Sequence, residues 1–442
     1  MKNWKKRTSF IMAGLCLASF LSACSGEAAV SQAEGSAPAA STAEESAAGE
    51  PAAEEATITF AYWDEGQQEI MDALVAEFEA QNSNINVETT IIPPDQYWTV
   101  MQAGLPAGSA PDVFWLACDR APTLISADVI LNLQEYIERD GVDMEQFPET
   151  LRSFFLSEGD MYAIPKDYDT INIFYNKELF DQAGVEYPEN GWTWDDLLEK
   201  AQQLTIPAED GGQTQYGFVA ARNVQSSVFN FMYSNNGAFC SEDGTEILIN
   251  SPENLEALTF LSDLMFTYKV SPNGSEQQEI GASTMFDSGM AAMIPDGSWM
   301  AAHYYEVLGD KVDVVQMPVK ERSACVMAGT GFAAAAKTQH PEAAWQFLKF
   351  LASEEAQKMQ ATNVIPALEG AAEDYVAQLP TMNAQTMVDA AQTAVRYPFT
   401  DKNAAEVEAA FDEQLQYIWL TNKDVATALA DAQASMEEAY NK

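Results

Sequence analysis

The sequence predicts an α/β protein whose strands pair mainly in parallel, and three observations lead there. Strand-like and helix-like segments alternate over about the first 60 residues after residue 57, and parallel strands joined by right-handed helical crossovers are the usual outcome of that order. The chain has 442 residues, more than one hydrophobic core usually serves, so two lobes of roughly 150 to 200 residues each are expected. Short repeats are absent from the remaining sequence, which mixes the same two kinds of segment.

The segments follow in order. Thr57 to Tyr62 has strand composition, and Gln67 to Ala80 places Ile70, Met71, Leu74, Val75 and Phe78 on one helical face. Ile85 to Ile92 reads as a strand, about Asp95 to Leu105 as a helix, and Asp112 to Ala117 as a third strand. Further on, Ile171 to Tyr175 has the apolar run of a buried strand. Thr193 is placed to cap the helix that begins at Trp194, and Pro341 to open another whose Ala344, Phe347, Leu348 and Leu351 share a face. Asp424 to Tyr440 gives a last helix, packed through Val425, Leu429 and Met436.

Composition excludes several function classes. With 67 acidic against 22 basic residues the formal charge is −45, which opposes tight binding to nucleic acid or to an anionic bilayer surface. The five cysteines, Cys16, Cys24, Cys118, Cys240 and Cys325, show no C-x-x-C spacing, and there are two histidines. No zinc pattern results, so neither a metal nor another cofactor is expected. Cys118, Cys240 and Cys325 cannot all pair with one another; at least one stays reduced or bonds elsewhere, and Cys118 is expected to be a buried thiol.

The N-terminus has the layout of an export signal over residues 1–23. Lys2, Lys5, Lys6 and Arg7 supply its charge, and the apolar run from Phe10 to Leu21 is too short to span a bilayer, which takes about 20 residues. Leu21-Ser22-Ala23-Cys24 resembles the bacterial lipobox, in which a cysteine thiol accepts a diacylglyceryl group and becomes the first residue after cleavage. An ordinary signal peptide with an incidental Cys24 is the competing reading. Residues 24–56, rich in Ala, Ser, Gly, Pro and Glu with Val30 the one larger aliphatic, read as a disordered acidic tether. Ser25 after the cysteine, together with that long tether, fits a Gram-positive-type surface lipoprotein at the cell membrane.

Open parallel sheets bind ligands beyond the carboxyl ends of their strands. Trp63, Asp64 and Glu65 follow the first strand, and Asp119 and Arg120 the third. A carbohydrate site needs aromatic platforms for C–H faces and carboxylates or guanidinium groups for hydroxyls, and these residue types suit it. A polyamine, a peptide or a chelated metal would suit the acidic residues equally, with cation–π help from the tryptophans. A glycosidase, with paired carboxylates, is a third reading that no signature supports.

Six stretches, "ITFAYWDEG", "LPAGSAPDVFWLACDR", "YAIPKDYDTINIFYNKELFDQAG", "WTWDDLLEKAQQLT", "AAMIPDGSWM" and "GTGFAAAAKTQHPEAAWQFLKFLASEEAQ", resemble in this order the extracellular solute-binding proteins of family 1. These are the receptors of ABC importers, and maltose-binding protein is a member. The resemblance covers Thr57 to the C-terminus. It implies a two-lobed periplasmic-binding-protein-like fold (type II), each lobe a mostly parallel sheet flanked by helices, with a multi-crossing hinge. By that likeness 57–165 plus 328–365 make lobe 1, and 166–327 plus 366–442 make lobe 2. Crossings would lie near Pro165 to Tyr168 and near Met317 to Gly329, where Gly329 and Gly331 would tolerate backbone change.

The same resemblance assigns a set of site residues. Asp119 and Arg120, seven residues and more after Asp112, match a sugar-contacting Asp-Arg pair, although a surface salt bridge is the alternative. Asp169, with Tyr168 as aromatic neighbour, matches a sugar-binding carboxylate, against a hinge-loop cap. Trp299 matches a Gly-x-Trp aromatic that stacks on sugar. Glu65 stands where the relative has a lysine, so a different sugar preference is implied. Asp296, Gly329 and Thr330 come from loops facing the cleft. Phe229, Asn236, Tyr397 and Phe399 are wall candidates, while Trp192, Trp194, Trp345 and Trp419 look structural. The expected function is therefore substrate capture without catalysis for a carbohydrate importer, by a monomer that binds carbohydrate and ABC permease subunits. It would meet the membrane through its lipid anchor only and bind no nucleic acid.

Overall fold

The computed structural model describes residues 55–208 and 214–442. The leader, the Cys24 lipidation site and all of the expected tether but its last two residues lie outside these. The strand β1 (Ala56–Tyr62) begins at the last residue assigned to the tether.

The first sheet contains β1, β2 (Ile85–Ile91) and β3 (Val113–Ala117), which pair in parallel in the order β2-β1-β3. The helices Gln68–Gln81 and Pro94–Ala107 connect them, as the alternation predicted. The Asp112 carboxylate ties this edge together: it accepts from Thr59 N at 2.9 Å and Oγ1 at 2.8 Å, and from Thr338 Oγ1 at 2.6 Å. A short hairpin, β4 (Leu156–Ser157) and β5 (Asp160–Met161), leads into β6 (Ala163–Asn176).

β6 is the strand on which the architecture turns. Its fourteen residues are buried at every position except Asp169. From Ala163 to Thr170 it pairs with β9 (Cys325–Ala334), and from Ile171 onward with β7 (Met293–Gly297) and β8 (Val312–Gln316). β9 in turn pairs with β3, and two short strands, β10 (Ile365–Pro366) and β11 (Ala394–Arg396), complete the set against β6 and β9. The crossing expected near Pro165 to Tyr168 thus lies inside a continuous strand, and partners change between Thr170 and Ile171.

The sheets are not mostly parallel. β9 runs antiparallel to β3 and β6, and the second sheet, β7 and β8 on β6, is antiparallel throughout. The reason is topological: a strand returning from the second sheet re-enters the first in the direction opposite to the strand that left. Parallel pairing survives where helical crossovers dictate it, in β2-β1-β3, and where the short strand β11 joins β9.

The local start signals correspond to observed caps. Thr193 and Asp196 form a reciprocal capping box on the helix Trp194–Leu204, Pro341 opens the helix Pro341–Leu351, and Asp424 caps Val425–Tyr440. Trp192, Trp194, Trp345 and Trp419 are all buried, as are the free thiols of Cys118, Cys240 and Cys325.

Gly329 and Gly331 lie within β9 with φ outside the left-handed region, so space rather than backbone freedom demands glycine at 331. A Cβ there would stand 2.9 Å from both the Ala163 Cβ and the Phe155 ring. Overpacking of this kind costs about 1–3 kcal/mol, so Gly331→Ala should lower unfolding free energy by that amount in denaturant titration. An unchanged midpoint would show that β9 has room to shift.

Candidate functional site: a cleft between the two sheets

Side chains alternate along a strand, and that rule builds the site. On β6 the alternate residues Asp167 and Asp169 line a cleft of about 840 Å³, while Tyr168 between them does not. From the first sheet come Trp63, Asp64 and Glu65 after β1, Asp119 after β3, and Gly329 and Thr330 on β9. From the other side come Gln225, Trp299, His303 and Glu306, and Tyr397 follows β11.

The carboxylates are held differently. Asp64 accepts from Gly66 N and Gln67 Nε2, both at 2.9 Å, as the cap of a short turn. Asp167 pairs with Lys166 and accepts from Thr330 N at 3.1 Å. Lys166, the bulge residue of β6, is fully buried (0% exposed), donating also to Gln67 Oε1 at 2.9 Å with its Nζ 4.3 Å from the Trp115 ring centre. Asp169 receives one hydrogen bond, from Ser298 Oγ at 3.2 Å. Burial, and then the neighbouring Asp167 charge, push its carboxyl well above the usual range.

The aromatics have defined seats. Trp63 meets Tyr97 and Trp115 edge-on, each with ring centres 5.0 Å apart. Trp299 folds back over Gly297, where a Cβ would come within 1.9 Å of the indole. A glycine at 297 is therefore what allows Trp299 its position at the cleft.

Four expected site residues do not line the cleft. Arg120 sits behind Asp119, its Nε 3.1 Å from Asp119 Oδ2 and its guanidinium 5.8 Å from the Trp98 ring centre. Tyr168 faces away by strand parity. Phe229 is buried in an aromatic cluster with Phe239, Tyr397 and Phe411. Asp296 is turned inward, accepting from Tyr304 OH at 2.7 Å and Gly297 N at 2.9 Å, and burial raises its carboxyl to about 6. Of the four wall candidates Tyr397 alone lines the cleft; Asn236 borders a separate depression of about 450 Å³. Asp167 was missed although the alternation that places Asp169 at the cleft places it there too. His303 and Glu306 were missed because helical periodicity alone does not reveal which face meets a cleft.

Glu408, on the helix Ala404–Thr421, lies behind Tyr397 and accepts its hydroxyl at 2.9 Å. Burial, followed by the Asp119 charge, raises its carboxyl to about 7. The thiol of Cys118, which also lines the cleft, is pushed up by burial and then by Asp119, so it is a poor nucleophile. Among the described residues no group of three or more His, Cys, Asp or Glu side chains is arranged to hold a metal ion.

Two sheets that share β6 thus frame a polar and aromatic cleft. A model of the bacterial extracellular solute-binding protein family matches residues 62–358. The chain belongs to this family. Among its relatives is an arabinooligosaccharide-binding protein of Halalkalibacterium halodurans, 26% identical over 302 residues. The match takes in 63% of this chain, and the chain spans only 63% of that relative's length. The sn-glycerol-3-phosphate-binding periplasmic protein UgpB of Escherichia coli K12 is 24% identical over 416 residues, covering 86% of this chain and 91% of UgpB. In three dimensions, this solute-binding protein matches the ABC substrate-binding protein Lmo0181 of Listeria monocytogenes, solved in complex with cycloalternan. The TM-score is 0.81 at 26% identity, over 87% of this chain and 99% of that one.

The half-buried Glu408 predicts a pH signature. Its ordinary value is 4.5 and its folded value about 7, so between these the folded state keeps a proton that the unfolded chain releases. Its stabilising contribution is complete below about 4.5 and is lost as pH rises through about 7. Glu408→Gln does not titrate, so its melting temperature relative to the unaltered protein should rise from pH 5 to about pH 7 and level off above that. A difference independent of pH would contradict the assignment.

Proposed function

We propose that this solute-binding protein captures a mono- or oligosaccharide in the cleft and delivers it to the permease subunits of an ABC importer. The observation that carries the reading is the joint presence of Trp63 and Trp299 with the carboxylates of Asp119, Asp167 and Asp169 at one cleft. Indole faces cover sugar C–H surfaces, and carboxylates accept hydroxyl hydrogen bonds in fixed directions. The names of two relatives, an arabinooligosaccharide-binding protein and a protein holding cycloalternan, support a carbohydrate. UgpB favours a phosphate ester by name, but no lysine or arginine among the described residues lines this cleft, while six carboxylates do. A phosphate would be repelled there.

Delivery requires release, so no chemistry is assigned to the cleft. Ligand contacts from both sheets favour closure, and without ligand the open and closed forms are close in energy. We place the molecule as a monomer at the outer face of the cell membrane, held by a diacylglyceryl group on Cys24. Two acyl chains are enough for stable anchoring, and the acidic tether raises the effective concentration of the receptor near its permease.

Two experiments check this reading. A panel of oligosaccharides in a thermal-shift assay should raise the melting temperature for at least one sugar with 1:1 stoichiometry and no turnover. Trp299→Ala should then weaken binding by about tenfold, the loss of one stacking platform. Sugars that leave the melting temperature unchanged at millimolar concentration would contradict the carbohydrate assignment. Separately, Cys24→Ser should move the protein from the membrane fraction to the medium with sugar affinity intact; retention at the membrane would contradict the anchor.

A further inference from the structure

The carbohydrate reading leaves the charge of the cleft unexplained. Its lining carboxylates are Asp64, Glu65, Asp119, Asp167, Asp169 and Glu306, and no described lysine or arginine lines it. Two of the six have a cationic partner: Arg120 for Asp119 and Lys166 for Asp167. Among the described residues Asp64, Glu65, Asp169 and Glu306 form no ion pair, although the Lys166 charge acts on Asp169 from a distance. They are also distributed on both sides, since the first three belong to the first sheet and its loops, and Glu306 to the helix Ala301–Leu308 opposite. A neutral sugar donates hydroxyl hydrogen bonds to such carboxylates but leaves their net charge uncompensated.

A second observation concerns a donor rather than a charge. Trp115 lines the cleft, is 1% exposed, and its indole Nε1 has no hydrogen-bond partner. A buried donor without an acceptor costs about 1–3 kcal/mol. A ligand oxygen that reaches it once the cleft closes would remove that penalty, whereas a polyamine, protonated along its length, brings donors only. The acidic lining favours a cation and the indole an oxygen acceptor.

Resting on the carbohydrate reading above, we propose that the ligand is an amino sugar, an oligosaccharide bearing at least one protonated primary amine. The amine sits among the unpaired carboxylates, with Asp169 at the floor and Glu65 and Glu306 at the rims. Trp63 and Trp299 border the same space and attract an ammonium through their ring faces. Burial and the adjacent Asp167 already hold the Asp169 carboxyl above its ordinary range, and a bound ammonium would reverse that cost.

The test is calorimetric titration of the unaltered protein near pH 7 with four probes: a trisaccharide of glucosamine, its fully N-acetylated counterpart, maltotriose and spermidine. The free-amine trisaccharide should bind at least about tenfold more tightly than the N-acetylated one, and that advantage should shrink when salt is raised to about 0.3 M. Glu65 and Glu306 are exposed, so Glu65→Gln and Glu306→Gln test the preference without threatening the fold, and each should reduce it several-fold. Equal or tighter binding of the N-acetylated or neutral sugar overturns the amine assignment while leaving the carbohydrate reading intact. Binding of spermidine with no sugar bound overturns both.

Discussion

A lysine–aspartate pair buried in a strand shared by two sheets is the constraint on which this structure depends. β6 must be apolar on both faces to lie in the core, yet it carries Lys166 and Asp167 where it passes from one sheet toward the other. The bulge at Lys166 solves part of the conflict by turning the ammonium under Trp115 and toward Gln67, while Asp167 is held from the far side by the Thr330 amide of β9. Removing one member of such a pair typically costs about 3–5 kcal/mol, because the other charge stays buried. The pair therefore fixes the register between the two crossing strands, and with it the relative position of every cleft residue that they carry.

The cleft inherits its chemistry from that register. Asp167 and Asp169 reach it because they are two apart on one strand, and Thr330 because it faces them from the next. The Gly297 seat brings an indole from the opposite sheet to the same space. Burial also keeps three carboxyls ready to hold protons, Asp169 in the lining itself and Glu408 and the inward-facing Asp296 behind it, with like charges adding to the effect at Asp169 and Glu408. An acidic cleft with little internal compensation leaves part of its charge to be balanced by whatever enters it.

Much of this was legible in the sequence, where local signals dominate. The helix starts at Trp194 and Pro341 follow from capping chemistry, and Trp63, Asp64, Glu65 and Asp119 follow from the rule that ligands meet strand ends. The illegible parts depend on long-range pairing. Nothing local tells that β9 returns antiparallel between β3 and β6, so local signals overstate parallel pairing. The charges in "PKDYD" read as a hinge loop, although they lie within a buried strand. Tyr168 is next to Asp169 in sequence, but neighbours on a strand face opposite ways. Asp296 and Phe229 have the composition of ligand contacts, but a tyrosine hydroxyl and an aromatic cluster claim them first.

The central claim is that the two sheets close on a ligand about β6 and β9. Spin labels introduced at Asp95 and Val307, both exposed and carried by the first sheet's helix and by the helix opposite, report the separation across the cleft through pulsed dipolar spectroscopy. The account predicts a shorter and narrower distance distribution when a sugar that binds by calorimetry is added, and a return to the original distribution when it is removed. A distribution that stays unchanged at full ligand occupancy would contradict it.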